Sequence, residues 1–365
     1  MSPKTYPYSP DYAVPPGETL LEVLEDRGLT QAELARRAGL SLKHVNLVAQ
    51  GRVPISTEVA LRLERVTGVP AAMWMNLETR YRERLARLEE RSALTADLDF
   101  LDQLPIAGMV AKGLLTKRAA PVDRLREVLD LFGVANRRAW EKTWAALAAS
   151  FRVSPAYTPD PGALAVWLRL GELQAADIQC RPWDRKAFLS SLPAIRGLTR
   201  EQDPSTWYPE LVAICARAGV AVVVVEELPG TRTHGATRWL RSDKALIQLS
   251  LRHRWADIFW FSFFHEVKHL LDEAKRSVIL DGPPGGEQPG AEHEADRFAA
   301  ERLIPSEHQA RLASLTTLAD VQDFADILGI HPGIVVGRLQ HDDPDLWPHS
   351  KGNRLRQRLA LQKQD

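Results

Sequence analysis

A sharp turn between two short helical stretches is the feature of this sequence that most restricts its fold. Thr30 followed by Glu33 is the capping-box pattern that opens a helix, and Gly39 is the residue type that ends one in the left-handed conformation. Ser41 then caps a new helix only two residues later. Two short helices joined so tightly predict a helix-turn-helix over residues 29–52.

The second helix of this pair has one apolar and one polar face. Val45 and Val48 lie on the same side and are expected to pack inward, so Lys43, Asn46 and Gln50 should point outward. Lysine can read guanine in a major groove, and asparagine and glutamine can pair with adenine. Phosphate contacts are expected from Gln31, Arg36, Arg37 and Arg52. The residues predicted to form the DNA-binding set are Gln31, Lys43, His44, Asn46, Gln50 and Arg52.

Only a local part of this chain can bind a polyanion, because its 47 Lys and Arg residues balance its 47 Asp and Glu residues. Residues 30–66 contain six basic and three acidic side chains, so the predicted helix-turn-helix is such a part. The alternative is an ordinary helical hairpin with a solvated, charged face. The coincidence of caps, turn and outward polar residues favours DNA binding.

This segment and the residues that follow it to 81 resemble the Xre and lambda-repressor-like DNA-binding domain of HigA-type antitoxins. The resemblance implies a five-helix fold and a double-stranded DNA operator bound by a homodimer. It also leaves room for a toxin as a further partner.

The second informative feature is HEVKH at residues 265–269, inside a stretch so apolar all round that it predicts a buried helix. His265 and His269 are four residues apart and share one helical face, so both imidazoles can reach one metal ion with Glu266 beside it. The alternative is a pair of histidines satisfied by hydrogen bonds in a core helix.

A third ligand is expected from EHEAD at residues 292–296, which opens the next predicted helix. Glu292 and Asp296 again share a face, so one can bind the metal while the other holds a ligand histidine by its second ring nitrogen. Glu294 is rotated from Glu292 by about 200° and ranks second as a ligand. Zn²⁺ is the expected ion, and Glu266 is the expected general base toward a metal-bound water. Oxyanion stabilisation could come from His331, His253 or Arg252.

This half of the chain resembles the ImmA/IrrE metallopeptidase family. The resemblance implies a zincin-like fold, zinc, and cleavage of a peptide or protein substrate, namely a repressor or antitoxin, under stress. It carries over His265 and His269 as ligands, Glu266 as the catalytic glutamate and Glu292 as the third ligand, which leaves Asp296 the supporting role. The matching stretches are residues 235–240, 245–252, 259–271, 292–305 and 328–341; the likeness is weakest over 93–215.

One position departs from the family pattern: Lys268 stands where the family usually has glycine. A bulky cation beside the active helix is expected to obstruct the cleft or to oppose Zn²⁺ electrostatically. This departure puts peptidase turnover in doubt more than metal binding.

The predicted fold is multidomain and divides into four parts. Two β-branched or alternating stretches, 220–228 and 245–251, predict a small antiparallel sheet, and the Pro/Gly-rich stretch 281–290 predicts a loop. The parts are an all-α lambda-repressor-like helix-turn-helix domain with an arm and a charged connecting helix (1–92), a helical middle region (93–215), an α+β zincin-like domain (216–346) and a basic C-terminal tail (347–365).

The remaining features concern location and leave two main functions open. Two cysteines 35 residues apart exclude a disulfide framework and fit a reducing compartment. No signal-peptide or membrane-spanning pattern is found, so a cytoplasmic protein is expected. One hypothesis is a DNA-binding regulator with a zinc endopeptidase domain that cleaves a partner or itself. The other is a HigA-like antitoxin whose zincin-like domain only senses or binds; a housekeeping peptidase is a weaker third.

Overall fold

The computed structural model describes residues 11–150, 159–273, 290–345, 347–348 and 352–360. The chain divides into two compact units, Met1–Leu98 and Asp99–Asp365. Within the described ranges, the helices are too short or too polar to cross a membrane.

The described part of the first unit is built from five helices around one apolar core, as the helix-turn-helix resemblance implies. Buried side chains from all five helices, including Leu34, Val48, Leu63 and Trp74, form that core. The helices are α1 (Pro16–Asp26), α2 (Gln31–Ala38), α3 (Leu42–Ala49), α4 (Thr57–Thr67) and α5 (Ala71–Ala96).

Local capping explains where these short helices begin and end. The side chains of Thr30, Ser41 and Ser56 accept hydrogen bonds from backbone N–H groups in the first turns of α2, α3 and α4. Gly39 ends α2 with a φ of 64°, a conformation that favours glycine. The predicted turn between α2 and α3 is therefore confirmed.

The predicted connecting helix is continuous with α5 and is not a separate element. No glycine or proline interrupts the sequence between Ala71 and Ala96, so no residue ends the helix there. Ion pairs one turn apart, Glu78–Arg82 and Glu83–Arg87, lie along it.

The second unit begins with helices and then forms a small sheet. Trp140 and Trp144 pack on Phe132 in this helical part. Its helices before the sheet are α6 (Ile106–Ala111), α7 (Pro121–Phe132), α8 (Arg137–Trp140), α9 (Ala146–Ser150), α10 (Pro161–Ala176), α11 (Arg185–Gly197) and α12 (Pro204–Ala216).

The sheet has three strands among the described residues: β1 (Val220–Val224), β2 (Gly235–Arg241) and β3 (Lys244–Leu249), in the order β1-β3-β2. β2 and β3 form an antiparallel hairpin, but β1 pairs with β3 in parallel. The predicted antiparallel sheet is thus wrong for one of its two strand pairs. Four of the five β1 residues are buried, and such an unbroken apolar run is typical of a parallel strand covered on both faces.

A long helix packs against this sheet and carries the HEVKH motif. This helix, α13 (Ala256–Glu273), lies against β2, β3 and α14. Its buried residues Trp260, Phe263, Phe264 and Leu270 join the main core of the unit. The remaining helices are α14 (Ala291–Leu303), α15 (Gln309–Ala313), α16 (Leu318–Leu328) and α17 (Pro332–Asp342). The predicted Pro/Gly loop lies outside the described residues except for Gly290, which precedes α14.

Residues 352–360, within the predicted basic tail, dock on the start of α13. Arg356 forms a two-bond ion pair with Asp257, and the two side chains are only 7% and 8% exposed. The backbone N–H of Leu359 donates to Arg254, and that of Ala256 donates to Gln357. This part of the tail is therefore integral to the second unit.

Candidate nucleic-acid interface and metal centre

The outward face of α3 carries the polar residues expected there. Val45 and Val48 are 2% and 3% exposed and belong to the core of the first unit. Lys43, Asn46 and Gln50 are exposed on the other side of the helix. The face opposite the core is therefore free to meet base edges in a groove.

The other predicted DNA-contacting residues differ in exposure. Arg52 is exposed, whereas Gln31 and His44 are half-buried. The backbone N–H of His44 donates to the capping Ser41, and its ring Nε2 is enclosed without a hydrogen-bond partner in the described part of the chain. Among the predicted set, His44 is thus the least suited to reach a base.

Two of the arginines predicted to contact phosphates share one carboxylate. Arg36 and Arg37 lie 3.0 and 2.7 Å from Oε1 of Glu33. The hydrogen bond and charge of Arg37, with a smaller effect of Arg36, lower the pKa of Glu33. This pairing reduces the positive charge available on α2.

Three side chains from two helices converge in the second unit. Nε2 of His265 lies 3.0 Å from Nε2 of His269, one turn further along α13. Glu292, in the first turn of α14, places its carboxylate oxygens 3.4 Å from His265 and 3.2 Å from His269. One nitrogen or oxygen donor from each residue lies within 4.8 Å of the others. Two imidazoles and a carboxylate are the donor set of many catalytic zinc sites, so these residues fit that ion.

Asp296 binds the second ring nitrogen of His265. Its Oδ1 lies 2.9 Å from Nδ1 of His265. An Nδ1–H donated to a carboxylate leaves the Nε2 lone pair directed at the cluster. Asp296 stands one turn after Glu292 on α14, so the same helix supplies both carboxylates.

The histidines and the carboxylates of this group stabilise each other's charged forms. Burial works against protonation of His265, but hydrogen bonds to Asp296 and Glu292 outweigh it and raise its pKa to about 10. Hydrogen bonds from His265 and His269 lower the pKa of Glu292. The cluster therefore binds protons when it holds no cation, and a metal ion would compete with them.

Glu266 interacts electrostatically with these three residues and also contacts the sheet. The hydroxyl of Thr237 on β2 donates to its Oε2 at 2.8 Å, and the residue is 8% exposed. A β-carbon on Gly235 would lie 2.5 Å from Oε1 of Glu266, so only glycine fits there without a shift. Burial raises the pKa of Glu266, although the charges of His269 and His265 and the Thr237 hydrogen bond oppose the rise.

Lys268 and Glu294 bind each other, and Glu294 is not among the three donors that converge. The Lys268 ammonium is 3.0 Å from Glu294 and 2.5 Å from Asp272. Two carboxylates thus compensate its charge, a contact that the sequence pattern did not reveal. Of the two glutamates weighed as the third ligand, Glu292 is the one that reaches both histidines.

The candidate oxyanion stabilisers fall in different places. Nδ1 of His331 accepts a hydrogen bond from the backbone of Gly333 and caps α17. His253 stacks on His234, with ring centroids 5.5 Å apart. His234 directly precedes Gly235 and was not predicted as a site residue, because a single histidine in a turn-like stretch carries no periodic signal. Thr237 was also missed, because its partner Glu266 lies 29 positions away in the chain and no sequence pattern connects the two.

Comparison with known proteins concerns the N-terminal part of the chain. Residues 20–74 match the helix-turn-helix family. A curated relative, virulence-associated protein I of Dichelobacter nodosus, is 33% identical over 81 residues, which are 22% of this chain and 75% of the relative.

Two solved structures are similar over about a fifth of the chain. The antitoxin HigA of Pseudomonas aeruginosa, solved with the higBA promoter, is 34% identical over 20% of this chain and 83% of its own, with a TM-score of 0.20. The antitoxin GraA is 29% identical over 23% of this chain and 91% of its own, with a TM-score of 0.22.

Proposed function

This chain belongs to the helix-turn-helix family of DNA-binding proteins through its N-terminal unit, and we propose that it is a transcriptional regulator that inserts α3 into the major groove of a double-stranded operator. The observation that carries this proposal is the division of α3 into a buried Val45–Val48 side and an exposed side with Lys43, Asn46 and Gln50. Helix-turn-helix proteins read DNA with such a face.

The second unit is proposed to be a zinc-dependent endopeptidase that cleaves a partner regulator, an antitoxin or the chain itself. The observation that supports this activity is the convergence of His265, His269 and Glu292, with Asp296 bound to His265 and the Glu266 carboxyl close enough to interact with both histidines. A catalytic zinc site needs three protein ligands and a nearby base. The ImmA/IrrE resemblance of the sequence points to the same chemistry.

Zinc, when bound by these residues, supplies Lewis acidity toward a peptide carbonyl and acidifies water. Glu266 is the residue of this chain that would accept the proton. Its Oε2 is occupied by the Thr237 hydroxyl, so Oε1 is the oxygen left to take it. The raised pKa of the buried carboxyl brings it closer to neutrality, where a general base is most effective.

A second candidate function is a repressor or antitoxin whose second unit binds or senses without cleaving, with a toxin as a further partner. The small exposure of Glu266, 8%, favours this alternative, because a general base must be reached by water.

The Glu266→Gln variant separates the two functions. We expect it to keep zinc, fold and operator affinity but to lose cleavage, since removal of a general base costs on the order of 10²–10⁴ in rate. The measurement is a reporter under the protein's own promoter, read with wild type, Glu266→Gln and His265→Ala, together with cleavage of the purified full-length chain with and without chelator. Normal induction by Glu266→Gln would exclude regulation by proteolysis and leave the binding module.

A further inference from the structure

Three residues other than glycine have a positive φ in the described part of the chain, and all three lie in two adjoining loops of the second unit. They are Arg232 at 47°, before β2, and His253 at 65° and Arg254 at 54°, after β3. L-residues rarely adopt this conformation, and where it persists it tends to mark a functional site. The two loops therefore call for a functional reason.

The two loops line a cavity of about 390 Å³ that contains three arginines, Arg232, Arg252 and Arg254. Two carboxylates, Glu226 and Glu227, also line it. Glu226 is engaged by Arg254 at 3.2 Å and by Lys112 at 2.9 Å. One carboxylate oxygen of Glu227 is enclosed without a hydrogen-bond partner among the described residues.

Arg232 and Arg252 are the cationic groups left over in this cavity, since neither has a carboxylate partner in the ranges that the structure describes. Together with Arg254, three arginines and two carboxylates line the cavity, and Lys112 outside the lining pairs with one of those carboxylates, Glu226. The lining is therefore net positive and holds two guanidinium groups available to an anion. A guanidinium is the side chain best matched to a carboxylate, which it binds through two parallel hydrogen bonds.

The cavity adjoins the group of His265, His269 and Glu292 through His234. This residue stacks on His253 of the second loop and directly precedes Gly235, which packs against Glu266. The pKa of His234 is lowered, mainly because burial removes water from its imidazole. The positive charges of Arg252, His253 and His265 add to this effect. His234 thus feels charges from both the cavity and the cluster.

β2 connects the same two places. It is an edge strand of the sheet, paired only with β3 among the described residues. An extended peptide can add to such an edge. A peptide paired along β2 would pass Gly235 and Glu266 and continue toward Arg232.

We propose that Arg232 and Arg252 form a subsite for a carboxylate of the peptide substrate, next to the bond that the metal centre cleaves. The carboxylate belongs to an acidic side chain or to the C-terminus of the substrate. This inference rests on the proposed peptidase function, but the subsite itself can be tested without zinc or turnover.

The test is protection of arginines from phenylglyoxal in the full-length protein, with modified residues mapped by mass spectrometry. Four probes separate the sources: N-acetylglutamate α-amide carries a side-chain carboxylate only, N-acetylalanine a terminal carboxylate only, N-acetylglutamine amide none, and inorganic phosphate tests another anion. At about twice its Kd, the correct probe should slow modification of Arg232 and Arg252 by about threefold. Arg241, exposed at the other end of β2, is the matched control and should be unaffected.

Protection by either carboxylate probe supports the subsite and identifies the source of the carboxylate. Equal rates with all probes, protection by the neutral amide, or protection by phosphate alone would overturn it. Arg252→Gln should abolish the protection of Arg232, and undiminished protection would show that the two arginines do not hold one anion. Protection in a protein that binds no zinc and cleaves nothing would refute the peptidase proposal while the anion site stands.

Discussion

Nδ1 of His265 on α13 lies 2.9 Å from Oδ1 of Asp296 on α14. The two residues are 31 positions apart in the chain, and the contact between their side chains holds the two helices in register. This contact orients a candidate metal ligand from the side opposite its coordinating atom. Helix α14 therefore supplies the proposed ligand Glu292 and also positions His265 through Asp296.

Asp296→Asn is expected to weaken zinc binding without removing a ligand atom. Loss of a carboxylate that supports a ligand histidine typically costs about 10–100-fold in metal affinity. The measurement is competition for zinc against a chromophoric chelator. Glu301→Gln, on the same helix and also exposed, is the matched control. Equal affinities for the wild type and Asp296→Asn would contradict the supporting role.

The three proposed ligands make a second prediction. His265→Ala should lose zinc, and Glu292→Gln should bind it more weakly, because Glu292 alone of the nearby glutamates reaches both histidines. Glu294→Gln should keep zinc, since its carboxylate is bound to Lys268. Elemental analysis after gel filtration gives the metal content. Full occupancy in Glu292→Gln together with loss in Glu294→Gln would reverse the assignment.

DNA recognition gives a third prediction. Lys43→Ala combined with Asn46→Ala should abolish specific operator binding and leave the fold intact, because both side chains are exposed. Each lost base contact costs about 1–3 kcal/mol. A gel-shift titration on the native promoter measures this loss, with Arg91→Ala in α5 as the control. Undiminished affinity of the double variant would refute the role of α3.

The hydrogen bond from Thr237 to Glu266 predicts an effect on cleavage. Thr237→Val should retain zinc but lower the cleavage rate by about tenfold or more, because a hydrogen bond to a charged group contributes about 1.5–3 kcal/mol. Thr199→Val is the control, since the Thr199 hydroxyl is buried without a hydrogen-bond partner in the described ranges. A wild-type cleavage rate in Thr237→Val would show that the hydrogen bond from Thr237 does not contribute to the action of Glu266.

The buried ion pair between Asp257 and Arg356 predicts a loss of stability. Arg356→Met should lower the free energy of unfolding of the second unit by about 3–5 kcal/mol, because it leaves a buried carboxylate without its partner. Urea unfolding followed by tryptophan fluorescence measures the change. Arg354→Met, an exposed neighbour, is the control, and Asp257→Asn added to Arg356→Met should recover part of the loss. Equal stability of Arg356→Met and wild type would contradict this account.

The first unit could be predicted from the sequence because its signals are local. Thr30, Gly39 and Ser41 act within a few residues of themselves and bound the helices as expected. Of the predicted capping box only the Thr30 half forms, because the Glu33 carboxylate binds Arg36 and Arg37. The spacing of His265 and His269 is local in the same way. These interactions depend on helical geometry alone, which a sequence pattern encodes directly.

Several contacts between elements were not revealed by sequence patterns. The parallel pairing of β1 with β3 requires β3 to lie between β1 and β2, and no periodicity specifies that order. Thr237 reaches Glu266 across 29 positions of the chain. Lys268, expected to oppose the metal, instead meets Glu294 from another helix. In each case the partner is set by tertiary packing and not by neighbours in sequence.

The docking of residues 352–360 on the start of α13 has a consequence for synthesis on the ribosome. The helix that bears the HEVKH motif cannot gain the partner of Asp257 until Arg356 has left the exit tunnel. The first unit is compact by itself and can fold long before that moment. A nascent or prematurely terminated chain would therefore present a folded helix-turn-helix unit attached to a second unit in which the buried carboxylate of Asp257 has no partner.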